Sequence, residues 1–365
     1  MRVVVAPDSF KGTIGAADAA AALATGWRRV RPADEVIEIP LADGGEGTLA
    51  VLAAAVAGSR WHRAEVSGPA QAQVAASWLE IPGNEHIIEL ATAAGLTQLR
   101  PLQPLAAHSY GVGQLMGRAL DGGARRIVVA LGGSACTDGG SGALAALGAR
   151  FLDAAGAEVR RGGGALASLA RVDTSGLRPP PPGGVDCLTD VRAPLLGPSG
   201  AAAVFGPQKG AGPGEIAVLE EGLARLARAL GGDPEAPGAG AAGGTGYGLS
   251  AAWGAVLRPG ALEIAAIAGL PAALAGAGLV ITGEGQYDAT SQSGKVAGAV
   301  LAHAAAAGVP AAVVAGVLAD RVPAGVRGVE LAALAGDREA ASADPARWLS
   351  AAGRDLAAGL AGPLR

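Results

Sequence analysis

The chain begins MRVVVAPDSFKGT (residues 1–13), and the reading of this stretch decides the fold. Val3–Ala6 is a short, mostly β-branched apolar run, which predicts a buried strand. It breaks into a loop containing Asp8, Ser9, Lys11 and Gly12, and Ala16–Arg29 then carries a helical pattern of good helix formers. The same rhythm returns at Val36–Leu41, the loop ADGGEG (42–47) and a helix over Thr48–Ala57. Strand, polar loop and helix in alternation predict α/β architecture. Late in the chain, Leu279–Thr282, Ala311–Ala315 and Val329–Ala332 read as parallel strands, with helices after the first and near the end. The simplest topology places the first and last strands in one Rossmann/flavodoxin-like, doubly wound parallel sheet.

The middle of the chain reads differently. Trp61–Ser67, Val74–Ile81 and His86–Leu90 are three consecutive strand patterns separated by the turn signals GPAQ and PGNE. Consecutive strands predict an antiparallel patch and therefore another domain. Beyond them come a helix over Ser109–Leu120, a strand over Arg126–Leu131, a helix over Ser141–Asp153 and a stiff connector at Pro179–Pro182. A strand at Val185–Leu188, an amphipathic helix at Glu215–Leu230 and a Gly/Ala/Pro-rich loop over 231–248 complete it. The expectation is a discontinuous Rossmann-like domain of residues 1–61 and 272–365, split by an inserted mixed α/β domain of residues 62–271. The active site is expected in the cleft between them. Insertion of this kind is tolerated because the ends of a domain lie close together.

Composition excludes several functions. The 365 residues carry a formal charge of −4, with no basic run to face nucleic acid. Cys136 and Cys187 are too few for a disulfide framework and lack metal-ligand spacing. The first residues lack the long apolar core of a signal peptide. Residues 296–319 are almost wholly apolar, but Gly308-Val309-Pro310 interrupts them and His303 sits inside. A helix, a turn and a buried strand is therefore expected there rather than a membrane span, and a cytoplasmic enzyme with small-molecule substrates is the default.

The loops after the strands carry the chemistry: PDSFKGT (7–13), ADGGEGT (42–48), LGGSACTDGG (131–140), LTDV (188–191) and TGEGQYD (282–288). In open α/β sheets ligands bind outside the carboxyl ends of the strands. Gathered there, Asp8, Asp43, Glu46, Asp138, Asp190, Glu284 and Asp288 would repel one another unless a cation compensated. Mg²⁺ is the usual one, because it accepts carboxylates, waters and phosphate oxygens together. The glycines of LGGSACTDGG fit two roles, a tight turn that needs them for backbone reasons or a cradle of bare N–H groups around an anion. Asp138 and Thr137 are equally open to capping that loop. The chain uses arginine almost throughout and has three lysines, Lys11, Lys209 and Lys295, each near a glycine in a loop. Such restraint suits sites that need a compact ammonium for phosphate. No G-x-x-x-x-G-K-[ST] occurs, and the G-x-G-x-x-G at Gly238, Gly240 and Gly243 follows a Pro/Ala linker instead of a strand. His62 and His86 are expected at the surface of the strand patch.

Eight blocks, PDSFKGT, LADGGEGT, ELATAAGL, SYGVGQLMGRAL, LGGSACTDGGSGALAALG, AVFGPQKGA, GAGAAGGTGYGL and TGEGQYD, together resemble the bacterial type-two glycerate kinases from residue 3 to about 317. The resemblance implies ATP and Mg²⁺, transfer to D-glycerate, 2-phosphoglycerate as the usual product, and a monomer or homodimer. Relatives usually carry arginine after GEG and Ser-Gln after the next aspartate, where this chain has Gln286 and Ala289-Thr290; Ala193 stands where asparagine is usual. These departures leave open a related hydroxy acid as substrate, or 3-phosphoglycerate as product. On this reading Gly132, Gly133 and Ser134 cradle phosphate, while Lys209 and Lys11 neutralise phosphate or carboxylate charge. Asp190 accepts the hydroxyl proton, with Asp8 and Asp288 as rivals. Asp43, Glu46, Asp138 and Glu284 are the Mg²⁺ candidates. Ser9, Thr137, Gly283, Gly285 and Lys295 complete the expected binding set.

Overall fold

The computed structural model describes residues 1–70, 72–292 and 295–360. Gln71, the last residue of the GPAQ turn, and Ser293 and Gly294, which precede Lys295, lie outside the described residues. The strands in chain order are β1 (Arg2–Val5), β2 (Glu35–Glu38), β3 (Arg60–Ser67), β4 (Gln73–Ile81), β5 (Glu85–Glu89), β6 (Arg126–Ala130) and β7 (Arg150–Leu152). They continue as β8 (Arg171–Asp173), β9 (Val185–Leu188), β10 (Val256–Arg258), β11 (Leu279–Tyr287), β12 (Ala311–Leu318) and β13 (Arg327–Glu330). The chain divides into two units. One holds Met1–Asp43, Ala50–Ala57 and Pro259–Arg365; the other holds Gly44–Leu49 and Gly58–Arg258.

The first unit is built on a parallel sheet in the order β13-β12-β11-β1-β2. Val3, Val4 and Val5 pair with Leu279, Val280 and Ile281 on one side and with Val36, Ile37 and Glu38 on the other. All three valines are fully buried, as expected of a central parallel strand covered on both faces. Alternation divides the neighbouring strands between two cores. Val314 joins Val3, Val5 and Ile281 beneath helices Ala16–Val30 and Pro345–Gly359, whereas Val313 and Ala315 meet Ala297 of helix Val296–Ala307. The sheet is thus doubly wound, and its strand order is the flavodoxin-like 2-1-3-4-5 when the unit's strands are counted alone.

Helices Ala16–Val30 and Pro345–Gly359 approach closely because glycine faces backbone. A Cβ on Gly26 would overlap the carbonyl of Ser350, and one on Gly353 would overlap that of Leu23. Leu23, Trp27 and Leu349 fill the space around this contact and are fully buried.

The second unit has a mixed sheet in the order β10-β9-β6-β5-β4-β3, plus the two-stranded β7-β8. β10, β9, β6 and β5 run parallel, while β4 and β3 add antiparallel strands at one edge. The three consecutive strands are therefore one end of a mixed sheet.

Several expected elements change. The helix expected over Ser141–Asp153 stops at Ala146, because Gly148 takes φ +110° and turns the chain into β7. The expected loop over 231–248 becomes helical from Ala241, although Ala242, Gly243 and Gly244 are left-handed there. β13 ends at Glu330, and Leu331 begins a helix. The unit boundary falls at 258/259, not near 271, since β10 pairs with β9 and helix Gly260–Ile267 packs with helix Val296–Ala307. His86 is buried, contrary to expectation, and its Nδ1 accepts a hydrogen bond from Trp78 Nε1 at 3.0 Å. Among the described residues no helix is long and apolar enough to cross a membrane.

Gly353→Ala should push the helix pair apart and destabilise the protein by about 1–3 kcal/mol. The expected readout is a lower denaturant midpoint at unchanged slope; an unchanged midpoint would show that the close approach is not needed.

Candidate active site

β1 and β11 are neighbours at the topological switch point of the first unit, where open α/β sheets bind ligands. Backbone bonds continue past the end of β1: Ala6 N–H donates to Ile281 O at 2.7 Å and Asp8 N–H to Gly283 O at 2.8 Å. Asp8 is thereby held beside Glu284, while the Ser9 amide donates to Asp8 Oδ1 at 2.6 Å. Phe10 is buried beneath this loop. Gly283 is required by close packing, since a Cβ there would overlap the Val314 carbonyl.

The electrostatics are tense. Burial and the nearby Asp43 carboxylate push the Asp8 pKa up to about 7. Lys11 Nζ lies 3.4 Å from Asp43 Oδ2, and that carboxylate holds the ammonium above its ordinary range. Glu284 is buried, which raises its carboxyl, and its Oε1 has no hydrogen-bond partner among the described residues. Asp8, Ser9, Lys11, Glu284, Asp288 and Lys295 line one cavity of about 310 Å³, together with Gly285. Asp288 also serves the backbone: its Oδ1 accepts from Thr290 N at 2.9 Å and Thr290 Oγ1 at 2.6 Å, which holds its pKa low.

In the second unit, the carboxyl ends of β5, β6 and β9 lie side by side. The loop after β6 packs against residues 44–49. Gly132 N–H donates to Gly44 O at 3.1 Å, and a Cβ on Gly132 would collide with Gly45 Cα. Gly133 adopts φ +75°. These two glycines thus have backbone reasons to be glycine. Glu89, at the end of β5, accepts from the amides of Gly47 and Leu49, both at 3.2 Å, and fixes the same loop. Glu46 is exposed beside Gly133.

Lys209 is buried and points inward. Its Nζ donates to Ser134 Oγ at 3.0 Å and to Cys136 O at 2.5 Å, and burial lowers its pKa. Thr137, next after Cys136, is buried, with Oγ1 lacking a partner among the described residues. Asp138 Oδ2 accepts from Ser109 N, Ser109 Oγ and Gly142 N at 2.8, 2.9 and 3.1 Å, and Oδ1 accepts from Gly140 N at 3.1 Å. Its carboxylate is committed to the loop, as the capping alternative requires, and is not presented to an ion. Asp190 follows β9, half-buried, after Thr189 whose N–H donates to Arg258 O at 3.0 Å. Gly240 and Gly243 of the G-x-G-x-x-G are packing glycines, each against a carbonyl, of Pro194 and Cys136 respectively.

Of the four Mg²⁺ candidates, Asp43 and Glu284 belong to the first unit, Glu46 and Asp138 to the second. Among the described residues no group of three His, Cys, Asp or Glu side chains is arranged to hold an ion. Sequence reasoning passed over two residues. Glu89 opens ELATAAGL and is the last residue of β5, inside the strand expected over His86–Leu90, so no loop marked it. Arg338 lines the first unit's cavity from a helix near the end of the chain, and no motif marked it.

Residues 3–361 match the Glycerate kinase family. The chain is 42% identical over 309 residues to the glycerate 2-kinase of Escherichia coli, covering 81% of this chain and 80% of that protein. It is 40% identical over 326 residues to the glycerate kinase of Bacillus subtilis, covering 87% and 85%. The crystal structure of a Salmonella typhimurium LT2 protein designated glycerate kinase 2 superposes with a TM-score of 0.85 at 38% identity, covering 99% of this chain and 98% of that one.

The raised Asp8 pKa has a sign. Folding favours the protonated carboxyl, so its contribution is complete below the ordinary value of 3.8 and is lost as pH rises through about 7. In metal-free protein, Asp8→Asn should therefore add stability at pH 8, on the order of a few kcal/mol, and little at pH 4. Thermal unfolding at the two pH values checks this; an equal change at both would contradict it.

Proposed function

The chain belongs to the glycerate kinase family, and from that premise we propose that it transfers the γ-phosphoryl group of ATP to D-glycerate, giving 2-phosphoglycerate and ADP. The observation that carries this reading is the cavity at the ends of β1 and β11, where the raised Asp8 carboxyl lies beside Asp43, Glu284 and Lys11. Phosphoryl transfer asks a protein mainly for positioning and charge neutralisation. Acids crowded against their own repulsion, with a lysine at their edge, suit that task.

Mg²⁺ is part of the proposal, and the residues fit it. Asp8 and Asp43 would hold the ion, with Glu284 near them: a buried carboxyl that other carboxylates destabilise is what a divalent cation relieves. Mg²⁺ needs only one or two protein carboxylates besides phosphates and waters. When bound it screens the phosphate charge. Lys11 and Lys295 line the same cavity and would neutralise phosphate oxygens. In the second unit, Lys209 and Ser134 hold the loop that carries the Gly133 amide, whose proposed ligand is phosphate. The glycerate 2-hydroxyl oxygen forms the new bond to phosphorus, the bond from phosphorus to the β-phosphate oxygen breaks, and the hydroxyl proton passes to Asp190. The name of the Escherichia coli relative supports the 2-position.

The deciding experiment is ADP release with Mg-ATP and D-glycerate, the product resolved by ³¹P NMR. Turnover to 2-phosphoglycerate is expected, and Asp190→Asn should lower kcat about 10²–10⁴-fold. Formation of 3-phosphoglycerate would overturn the regiochemistry, and no turnover would overturn the substrate. Mg²⁺ alone should lower the Asp8 pKa, read by ¹³C NMR, and raise the melting temperature of the wild type more than that of Asp43→Asn; equal shifts would remove these carboxylates from the metal site.

A further inference from the structure

We propose that Arg338 is the residue of the first unit's cavity that binds the carboxylate of the hydroxy-acid substrate, an inference that rests on the kinase reading above. Three cationic side chains line this cavity: Lys11, Lys295 and Arg338. Their circumstances differ. Lys11 is engaged with Asp43 at 3.4 Å, and Lys295 adds its field to that of Glu284. Arg338 has no hydrogen bond or ion pair to any described residue, so its planar guanidinium is uncommitted.

The fold holds Arg338 in this position. It opens helix Arg338–Ala343, whose first turn is fixed by Asp337 Oδ1 accepting from Ala340 N at 2.7 Å. One turn later, on the same face, Ser342 also lines the cavity and offers a hydroxyl beside the guanidinium. This wall reaches the cavity from beyond β13, whereas the acids Asp8 and Glu284 come from the loops after β1 and within β11. An anion bound at Arg338 can therefore approach a wall separate from the acidic one.

Two arguments select a carboxylate. A guanidinium presents two parallel N–H groups that match the oxygens of a carboxylate or a phosphate, and the ammonium groups of Lys11 and Lys295 in the same lining already suit the phosphate, which leaves the carboxylate to Arg338. The cavity, about 310 Å³, is at the small end of ligand pockets, which run from roughly 300 to 1,000 Å³. It has room for a three-carbon hydroxy acid and a transferring phosphoryl group. Gln286, on the same cavity, is neutral and turned to Asp288 at 3.4 Å, leaving Arg338 as the arginine of the lining.

The test uses full-length wild type, Arg338→Ala and Arg338→Lys with Mg-ATP and either D-glycerate or its neutral analogue D-glyceramide. For Arg338→Ala the KM for D-glycerate should rise about ten- to a hundredfold, with the KM for ATP and the melting temperature unchanged. Arg338→Lys should recover part of the loss, and preference for glycerate over glyceramide should collapse in Arg338→Ala. Direct binding of D-glycerate, followed by ligand-detected NMR without nucleotide, should weaken in parallel. An unchanged KM for glycerate, an equal rise in the KM for ATP or an undiminished preference for the carboxylate would overturn the role of Arg338 while leaving the kinase reading intact. Absence of both turnover and glycerate binding in the wild type would overturn both.

Discussion

The parallel pairing of Val3–Val5 with Leu279–Ile281 is the contact on which the first unit and its site depend. It joins segments from opposite ends of the sequence, and the intervening chain is tolerable because closure entropy grows only logarithmically with length. The return comes from three valines buried without residual exposure. Because the strands are hydrogen-bonded past their paired residues, through Ala6 to Ile281 and Asp8 to Gly283, the loop that carries Asp8 leaves the sheet in fixed register with Glu284 of β11. A shift of one residue would exchange the faces of the three valines and carry Asp8 away from Glu284.

Carboxylates have opposite fates in the two units. Asp138 is fully buried, yet four donors from Ser109, Gly140 and Gly142 surround it, so the fold itself satisfies the charge. Asp8 is almost as well buried but accepts from Ser9 and faces Asp43 and Glu284, so the fold leaves its charge poorly compensated. The first arrangement stabilises a loop. The second retains free energy that a bound cation can release, which is the usual condition of a functional site.

Glycine and lysine each serve more than one end. Gly26, Gly353, Gly132 and Gly283 are places where another backbone occupies the space of a Cβ, so a chain of small residues builds tight contacts with few aromatics. Lys209 spends its ammonium on Ser134 and Cys136 inside the second unit, while Lys11 and Lys295 line an open cavity in the first. The scarcity of lysine thus marks important positions without telling whether the ammonium supports a loop or awaits a ligand.

The alternation of strand, polar loop and helix made the α/β class and the parallel sheet legible, because buried β-branched runs and helix formers are local signals. The loop after β1 pointed to Asp8 and Lys11, the segment TGEGQYD, expected as a loop but mostly a continuation of β11, to Glu284 and Asp288, and the scarcity of lysine to Lys295; the five share a cavity. Local pattern failed where a single backbone angle decided the outcome, as at Gly148, which ends a helix the composition would have continued. It failed again where pairing was remote: β10 is three residues long and exists because Val256–Arg258 lies beside β9. Whether an acid caps a loop or faces a cavity depends on groups brought in from distant segments, the Ser109 donors for Asp138 and the Asp43 charge for Asp8. Residue identity sets which charged and small groups the chain carries at its strand ends. Which of those charges are satisfied is a property of the folded chain, because burial and hydrogen-bond partners are set by packing between segments far apart in sequence.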